Sequence, residues 1–414
     1  MVEPIPLLSL NSKGIEGFIS SATEFTIIFD RHGGLQKVFM WINSEAFDVT
    51  TLARGNRRSI LLDNITIDLD KWFEWGIPFN KRFMNTIELY VNLVKDWGLE
   101  KLRNKKVLLA YSGGKDSTAA LLVAYKLAEE LDFKLKVIYV YMPFLESPKN
   151  IKFVESVSKR LNLDVEIDIV NPPKWIIKKY LFEYGLPYRR FRWCTYLKTR
   201  PMREYRKQYN IDFIVIGDRL WETVKRLKRL ASLVFKRNLV KRREVYLIAQ
   251  LTILDISTIV KEANIIHSDY LADATRVSCV FCPYKACFEF KLDLGDVEDP
   301  GLIDSVLRFE WRKWYKRYVD YKSFLEFNLW RYVPRVARMF CKAKNYLMRI
   351  VDREGLERLT VDDVVKKHRA LWTVNNIPCS KVLSLEELHR MLRGITDSNI
   401  SIQLIVDSRG RNFH

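Results

Sequence analysis

Acidic side chains are in short supply in this chain of 414 residues. Lys and Arg number 69 against 50 Asp and Glu, a formal net charge of +19. A surplus of that size favours a polyanionic partner, with nucleic acid first. Long apolar runs are missing, and none reaches the length of a membrane span. The start, Met1-Val2-Glu3-Pro4, has no basic segment followed by an apolar stretch. No secretory signal is read there, so a cytoplasmic protein without membrane attachment is expected. Cysteines are few for the length, six in all, which excludes a disulfide framework. Internal repeats and low-complexity segments are absent. Only four glutamines occur among abundant Lys, Arg and Glu, a bias toward heat-adapted composition that carries no functional meaning. Neither G-x-x-x-x-G-K-[ST] nor G-x-G-x-x-G is present, which removes the P-loop and dinucleotide fingerprints.

Hydrophobic residues make up 48% of the chain, enough for two or three domains with their own cores. Residues 1–80 read as a small β-rich unit. Runs 24–29 and 36–42 are strand-like around the turn signal Arg31-His32-Gly33-Gly34, with further short strands at 59–62 and 65–67. A helix over 81–103 leads into a second unit, 81–300. There strand-like runs at 107–111, 135–141, 164–170 and 212–217 alternate with helical runs at 117–131, 150–161 and 199–208. The alternation predicts an α/β fold with a doubly wound parallel sheet, whose ligands sit at the carboxyl ends of the strands. Residues 301–414 read as a helical, basic third unit. Between Arg308 and Lys344, bases alternate with aromatics such as Trp311, Trp314, Tyr318 and Trp330. Such a stretch either stacks bases and grips phosphates or is an amphipathic helix with its rings in the core.

The segment Ser112-Gly113-Gly114-Lys115-Asp116-Ser117 follows the first strand of the second unit and opens its first helix. Two glycines between a strand and a helix let backbone N–H groups converge where the helix dipole is positive, which is a seat for phosphate. Lys115 adds a point charge, and Ser112 and Ser117 add hydroxyls. Asp116 suits a magnesium ion carried on the phosphates, or a helix cap. Beyond the sheet, residues 219–243 hold ten basic side chains and one acid, Glu222, and supply nine of the nineteen net charges. Three cysteines follow as C-x2-C-x4-C at Cys279, Cys282 and Cys287, and Cys194 stands alone in Arg192-Trp193-Cys194-Thr195. The spacing suits one metal centre. An iron–sulfur cluster tolerates its irregularity better than structural zinc, which remains the alternative. Cys194 is either a fourth ligand or a free catalytic thiol made reactive by its arginine neighbours. Cys341 and Cys379 read as buried structural thiols.

Ser112–Ser117 resembles the pyrophosphate loop of the PP-loop ATP pyrophosphatases. Residues 185–195, with Arg189-Arg190-Phe191-Arg192-Trp193-Cys194-Thr195, resemble the arginine-rich loop of the phosphoadenosine phosphosulfate (PAPS) reductase family. Gly217-Asp218-Arg219-Leu220-Trp221-Glu222-Thr223-Val224-Lys225-Arg226 resembles that family's G-x-R-x-x-E-[ST]-x-x-R segment. Cys279-Val280-Phe281-Cys282-Pro283 resembles the C-x-x-C-P of its archaeal members and of related DNA phosphorothioation enzymes. The resemblance spans roughly residues 105–295. It implies a PP-loop type core that binds ATP and magnesium on Ser112–Ser117 and Gly217-Asp218-Arg219. It further implies a 4Fe–4S cluster on Cys194, Cys279, Cys282 and Cys287. Arg189, Arg190, Arg192 and Arg226 would face the anionic substrate, and Lys115, Asp116 and Cys194 would carry catalysis.

Two departures separate the chain from sulfate-reducing members. Its phosphate loop is intact, where theirs is degraded, and its tail lacks their cysteine in an E-C-G-x-H context. The expected activity is therefore AMP- and pyrophosphate-forming sulfur transfer to nucleic acid, tRNA rather than DNA. Reduction of a sulfonucleotide is the alternative, and a non-catalytic nucleic-acid-binding subunit the third reading.

Overall fold

In the computed structural model the described residues are the strands between 4 and 68, Thr50, most of 87–359, Arg369 and Trp372. Within 87–359 the residues outside the description are 162–164, 223–225, 227–228, 231, 234–235, 252, 273, 286–288, 291–294 and 355. The turn residues 31–34, Cys287 and Cys379 therefore lie outside the described residues.

Strands β1 (Pro4–Leu7), β2 (Gly17–Ser21), β3 (Phe25–Asp30), β4 (Leu35–Ile42) and β5 (Glu45–Asp48) pair antiparallel in that order. β6 (Ser59–Leu62) and β7 (Ile65–Asp68) form a separate antiparallel pair. The chain then enters α1 (Ile87–Val94). The single helix expected over 81–103 is broken here. Gly98 adopts a left-handed φ of 74°, and a 3-10 turn, Leu99–Leu102, follows. Asn238 sits against Gly98 where a Cβ would project, so a longer side chain has neither the φ nor the room.

The central sheet contains β8 (Lys106–Tyr111), β9 (Lys134–Val140), β10 (Ile167–Val170), β11 (Phe213–Val215), β12 (Val240–Lys241) and β13 (Glu244–Val245), in the spatial order β10-β9-β8-β11-β13-β12. All neighbours are parallel except the edge pair β12–β13. Between these strands run α2 (Lys115–Leu131), α3 (Pro148–Leu161), α4 (Lys174–Tyr184) and α5 (Trp193–Gln208). The period-two alternation of strand residues sorts the layers. Val107, Leu109, Val137 and Tyr139 enter the core that also holds Leu121, Val123 and Val154 from α2 and α3. Leu108, Ile138 and Val140 point to the opposite face and pack with Tyr205 of α5 and Ile211. The sheet is thus doubly wound. Because the chain leaves β8 first toward β9 and later returns to its other side at β11, the switch point lies between β8 and β11.

α6 (Ile253–Glu262) and the short α7 (Ser268–Leu271) follow, then α8 (Pro300–Glu310), α9 (Tyr321–Glu326) and α10 (Pro334–Glu354). A second core is built from Ile177 and Leu181 of α4, Trp193 and Leu197 of α5, Val280, Phe281, Ile303 and Leu307 of α8, and Trp330. It fixes the cysteine-bearing loop to the carboxyl end of the sheet. α5 begins at Trp193, six residues before the expected start. Trp193 donates its ring N–H to the Gly185 carbonyl at 3.1 Å and is buried with Leu197, and these anchors hold the helix upstream of Pro201. β14 (Arg358–Leu359), in the stretch read as helical, pairs with β5 and completes the first sheet. Of the aromatics between 308 and 344, Tyr315, Trp330 and Tyr332 are core residues, whereas Trp314 and Tyr318 are exposed.

Candidate active site at the carboxyl ends of the strands

Residues 112–114 turn the chain from β8 into α2. Gly113 takes φ 73°, open only to glycine at low cost, and Gly114 precedes the helix without a side-chain cap. The Ser112 and Ser117 hydroxyls meet at 2.9 Å, and Ser117 also donates to the Gly114 carbonyl at 2.9 Å. These bonds fix the loop around an uncapped, positive helix end. The Lys115 side chain is nearly buried, and its ammonium lies 3.0 Å from Asp116.

Asp116 does not cap α2. One carboxylate oxygen receives Lys115, and the other receives the Arg219 guanidinium at 2.6 Å. Asp116 thus anchors Lys115 and Arg219. Burial alone would raise its pKa, but Arg219 and Lys115 outweigh it and hold the carboxyl well below the usual range. Arg219 itself is fully buried and also donates to the Leu251 carbonyl, so it braces the loop from beneath. A Cβ placed on Gly217 would lie 4.0 Å from the Asp116 and Ser117 backbone, so the two loops run side by side. Asp218 turns away to pair with Arg226 at 2.9 Å and with Arg229. Arg226 also pairs with Glu222, so part of the 219–243 basic run is neutralised internally.

The arginine-rich loop divides by role. Arg189 donates to the Pro283 carbonyl at 3.2 Å, its guanidinium lies over Tyr332, and its own carbonyl accepts from Tyr284. It is a clamp on the cysteine loop. Arg331, read from sequence only as one of the bases interleaved with aromatics, is fully buried and donates to the same Pro283 carbonyl at 3.1 Å and to Lys285 O at 2.8 Å. Arg190 and Arg192 are exposed, and Arg192 lies over the Tyr284 ring.

Cys194 occupies the first turn of α5, while Cys279 and Cys282 flank the turn closed by Cys282 N–H to Cys279 O at 3.1 Å. The three thiols are near enough to bias one another's ionisation. Lys198 bears on Cys279 and Cys194, Arg192 on Cys194, and Arg276 approaches the Cys282 sulfur at 3.5 Å. Soft sulfur donors backed by buried Val280 and Phe281 and ringed by cations suit a thiolate-bound centre. As placed, no group of three or more His, Cys, Asp or Glu among the described residues forms a metal site. The expected activation of Cys194 is reversed. Burial pushes its thiol up, beyond what Arg192 and Lys198 recover, and burial carries Cys279 to about 12.

Residues 106–285 match the sequence profile described as "Phosphoadenosine phosphosulfate reductase domain". These residues are similar to that family. The matched segment thus includes both the phosphate loop and the paired cysteines, on a mostly parallel sheet flanked by helices. Two uncharacterized proteins of Methanocaldococcus jannaschii are similar to the chain. MJ0973 is 26% identical over 215 residues, covering 51% of this chain and 48% of the relative. MJ0066 is 24% identical over 246 residues, covering 56% and 47%. The chain spans about half the length of these curated relatives. Two solved structures are similar in part. The U34-tRNA thiolase NcsA from Methanococcus maripaludis with its [4Fe-4S] cluster gives TM-score 0.33 at 15% identity, covering 56% of this chain and 82% of the other. The NAD+ synthetase from Burkholderia pseudomallei gives 0.28 at 16%, covering 54% and 88%.

The matched segment also holds a buried charge centre that sequence reasoning missed. Glu146 follows β9 and is almost wholly buried. It accepts from Tyr139 at 2.6 Å and Lys198 at 3.1 Å, and lies 3.9 Å from the Cys279 sulfur. Burial disfavours the Lys198 charge, but Cys279 and Glu146 outweigh it and keep the ammonium protonated. Position after a parallel strand was a usable signal for Glu146, and the i+4 spacing from Cys194 was one for Lys198. Tyr270 had no signal. Its hydroxyl accepts the Lys115 backbone N–H at 2.8 Å, and its ring stacks on Trp372 at 4.5 Å.

Proposed function

We propose that the chain is an ATP pyrophosphatase that transfers sulfur to a nucleic-acid base, tRNA being the favoured substrate. The observation that carries this reading is the intact Ser112–Ser117 loop on an uncapped helix end at the switch point of the sheet. The family match and the basic balance of the chain support it.

The triphosphate of ATP would rest on the loop amides, with Lys115 against its charge. A carbonyl oxygen of the base attacks the α-phosphorus. A P–O bond to the base forms, the P–O bond to pyrophosphate breaks, and pyrophosphate leaves into the positive loop. A sulfide donor then attacks the activated carbon. A C–S bond forms, the C–O bond breaks, and AMP carries the oxygen away. Asp116 and Arg219 hold Lys115 and the loop in place, and Arg190 and Arg192 face the anionic substrate. Magnesium would arrive on the phosphates of ATP and neutralise part of their charge. Cys194, Cys279 and Cys282, with Cys287, would hold a 4Fe–4S cluster, which supplies redox or sulfur-carrying iron chemistry when bound. Zinc is the alternative occupant. Reduction of a sulfonucleotide is the second reading, and the family description favours it.

Anaerobically purified protein should release AMP and pyrophosphate from ATP with tRNA, and thiolated nucleosides should appear on mass spectrometry. Lys115→Ala should lower AMP release by about 100-fold or more while the melting temperature stays near wild type. Full activity in that variant, or consumption of sulfonucleotide without ATP, defeats the reading.

A further inference from the structure

Helix α5 crosses the sheet from end to end. Cys194 lies in its first turn at the carboxyl ends of the strands. Its last turn leads to Asp212, whose N–H bonds Lys106 O at the amino end of β8. Tyr196, Arg200, Arg203 and Lys207 fall four, three and four residues apart, so they form one stripe, and all four are exposed. From Cys194 to Lys207 the helix covers about 20 Å.

The stripe lines a cleft of about 720 Å³, together with Arg206 and with Arg243 of the β12–β13 turn. Two carboxylates also line it, and both are engaged. Glu204 pairs with Arg200 at 2.9 Å, and Asp212 accepts the Lys106 N–H at 2.9 Å. No carboxylate among the described residues pairs with Arg203, Arg206, Lys207 or Arg243. Five cations, four of them guanidinium groups, against two carboxylates leave the cleft a surplus of three positive charges, and spread over such a length they match a chain of phosphates better than one small anion. At the cysteine end, exposed Tyr196 and Phe191 offer rings for unstacked bases. The 219–243 run, read from sequence as the polyanion grip, is partly neutralised by Asp218 and Glu222, and its Arg243 lines this cleft.

We propose that the cleft seats the phosphodiester backbone of the substrate RNA, and that α5 is the track along which this RNA reaches Cys194. The proposal rests on reading the substrate as nucleic acid. It adds a binding site remote from the phosphate loop, on the other end of the sheet.

The test uses fluorescence anisotropy with a labelled, unmodified tRNA transcript and a labelled DNA hairpin. The full chain is compared with the triple variant Arg203→Gln, Arg206→Gln, Lys207→Gln, and with Lys322→Glu on exposed α9 as control. The triple variant should bind the tRNA on the order of 100-fold more weakly at 0.1 M salt, and its slope of log K against log salt should fall by about 2. The control should match wild type, as should the triple variant's melting temperature. Wild-type affinity in the triple variant overturns the site, and equal affinity for the DNA hairpin overturns the RNA assignment. AMP release separates the two readings. If the triple variant loses tRNA binding and wild type forms no AMP, the track stands and the enzymatic reading falls. If wild type forms AMP with tRNA and the triple variant binds as wild type does, the reverse holds.

Discussion

Glu310 and Asp116 are partly buried carboxyls pushed in opposite directions. Glu310, at the end of α8, accepts the Leu186 N–H, and burial lifts its pKa from 4.5 to about 8. Asp116 meets two cations and stays ionised. Between pH 4.5 and 8 the folded chain keeps a proton on Glu310 that the unfolded chain releases, so stability falls as pH rises through that window. Glu310→Gln keeps the acceptor and removes the titration. Relative to wild type, the variant should gain up to roughly 4 kcal/mol between pH 5 and pH 8.5, read from denaturant unfolding at the two pH values. A constant difference would contradict it. At this scale the sequence named Lys115, Asp116, Arg219 and the cysteines. It did not show that Arg219 would serve Asp116, because that pairing joins two loops 103 residues apart.

Among elements, the strand–loop–helix of β8 and α2 was legible nearly to the residue, as were β3, β4, β6 and β7. Their alternation, glycine turns and apolar runs are local signals. α4 was not read, and α5 was started late. Both are positioned by burial of Ile177, Leu181, Trp193 and Leu197 in the second core, a long-range cause that no window of sequence contains. Pro201 further disguised α5, since proline usually opens a helix rather than sitting nine residues into one. The cysteine loop likewise owes its shape to an element distant in sequence. Arg331, in the turn Leu329–Arg331, reaches two of its carbonyls. Arg331→Met keeps the volume and deletes those bonds. It should cost about 2 kcal/mol and make Cys282 react faster with a disulfide reagent under native conditions. Unchanged thiol reactivity would show that Arg331 does not hold the loop.

Across the whole molecule, the charge surplus is unevenly used. Some of it is folded inward, as in Arg219 and Arg331, and some is cancelled on the surface at Asp218 and Glu222. Net charge from sequence counts all of these alike, so the 219–243 run carries less free charge than its composition suggests. No described helix is long and apolar enough to cross a membrane.

The phenol of Tyr270 gives the molecule a built-in optical gauge. A backbone N–H donates well to one oxygen at a time, and the Lys115 N–H now points at that phenol. A phosphate oxygen arriving there must evict it, and the indole of Trp372 stacked on the same ring must feel the change. Adding ATP should therefore alter a tryptophan emission component that Trp372→Phe abolishes, with the midpoint tracking nucleotide affinity. Emission that ignores ATP would mean the phenol never leaves its amide.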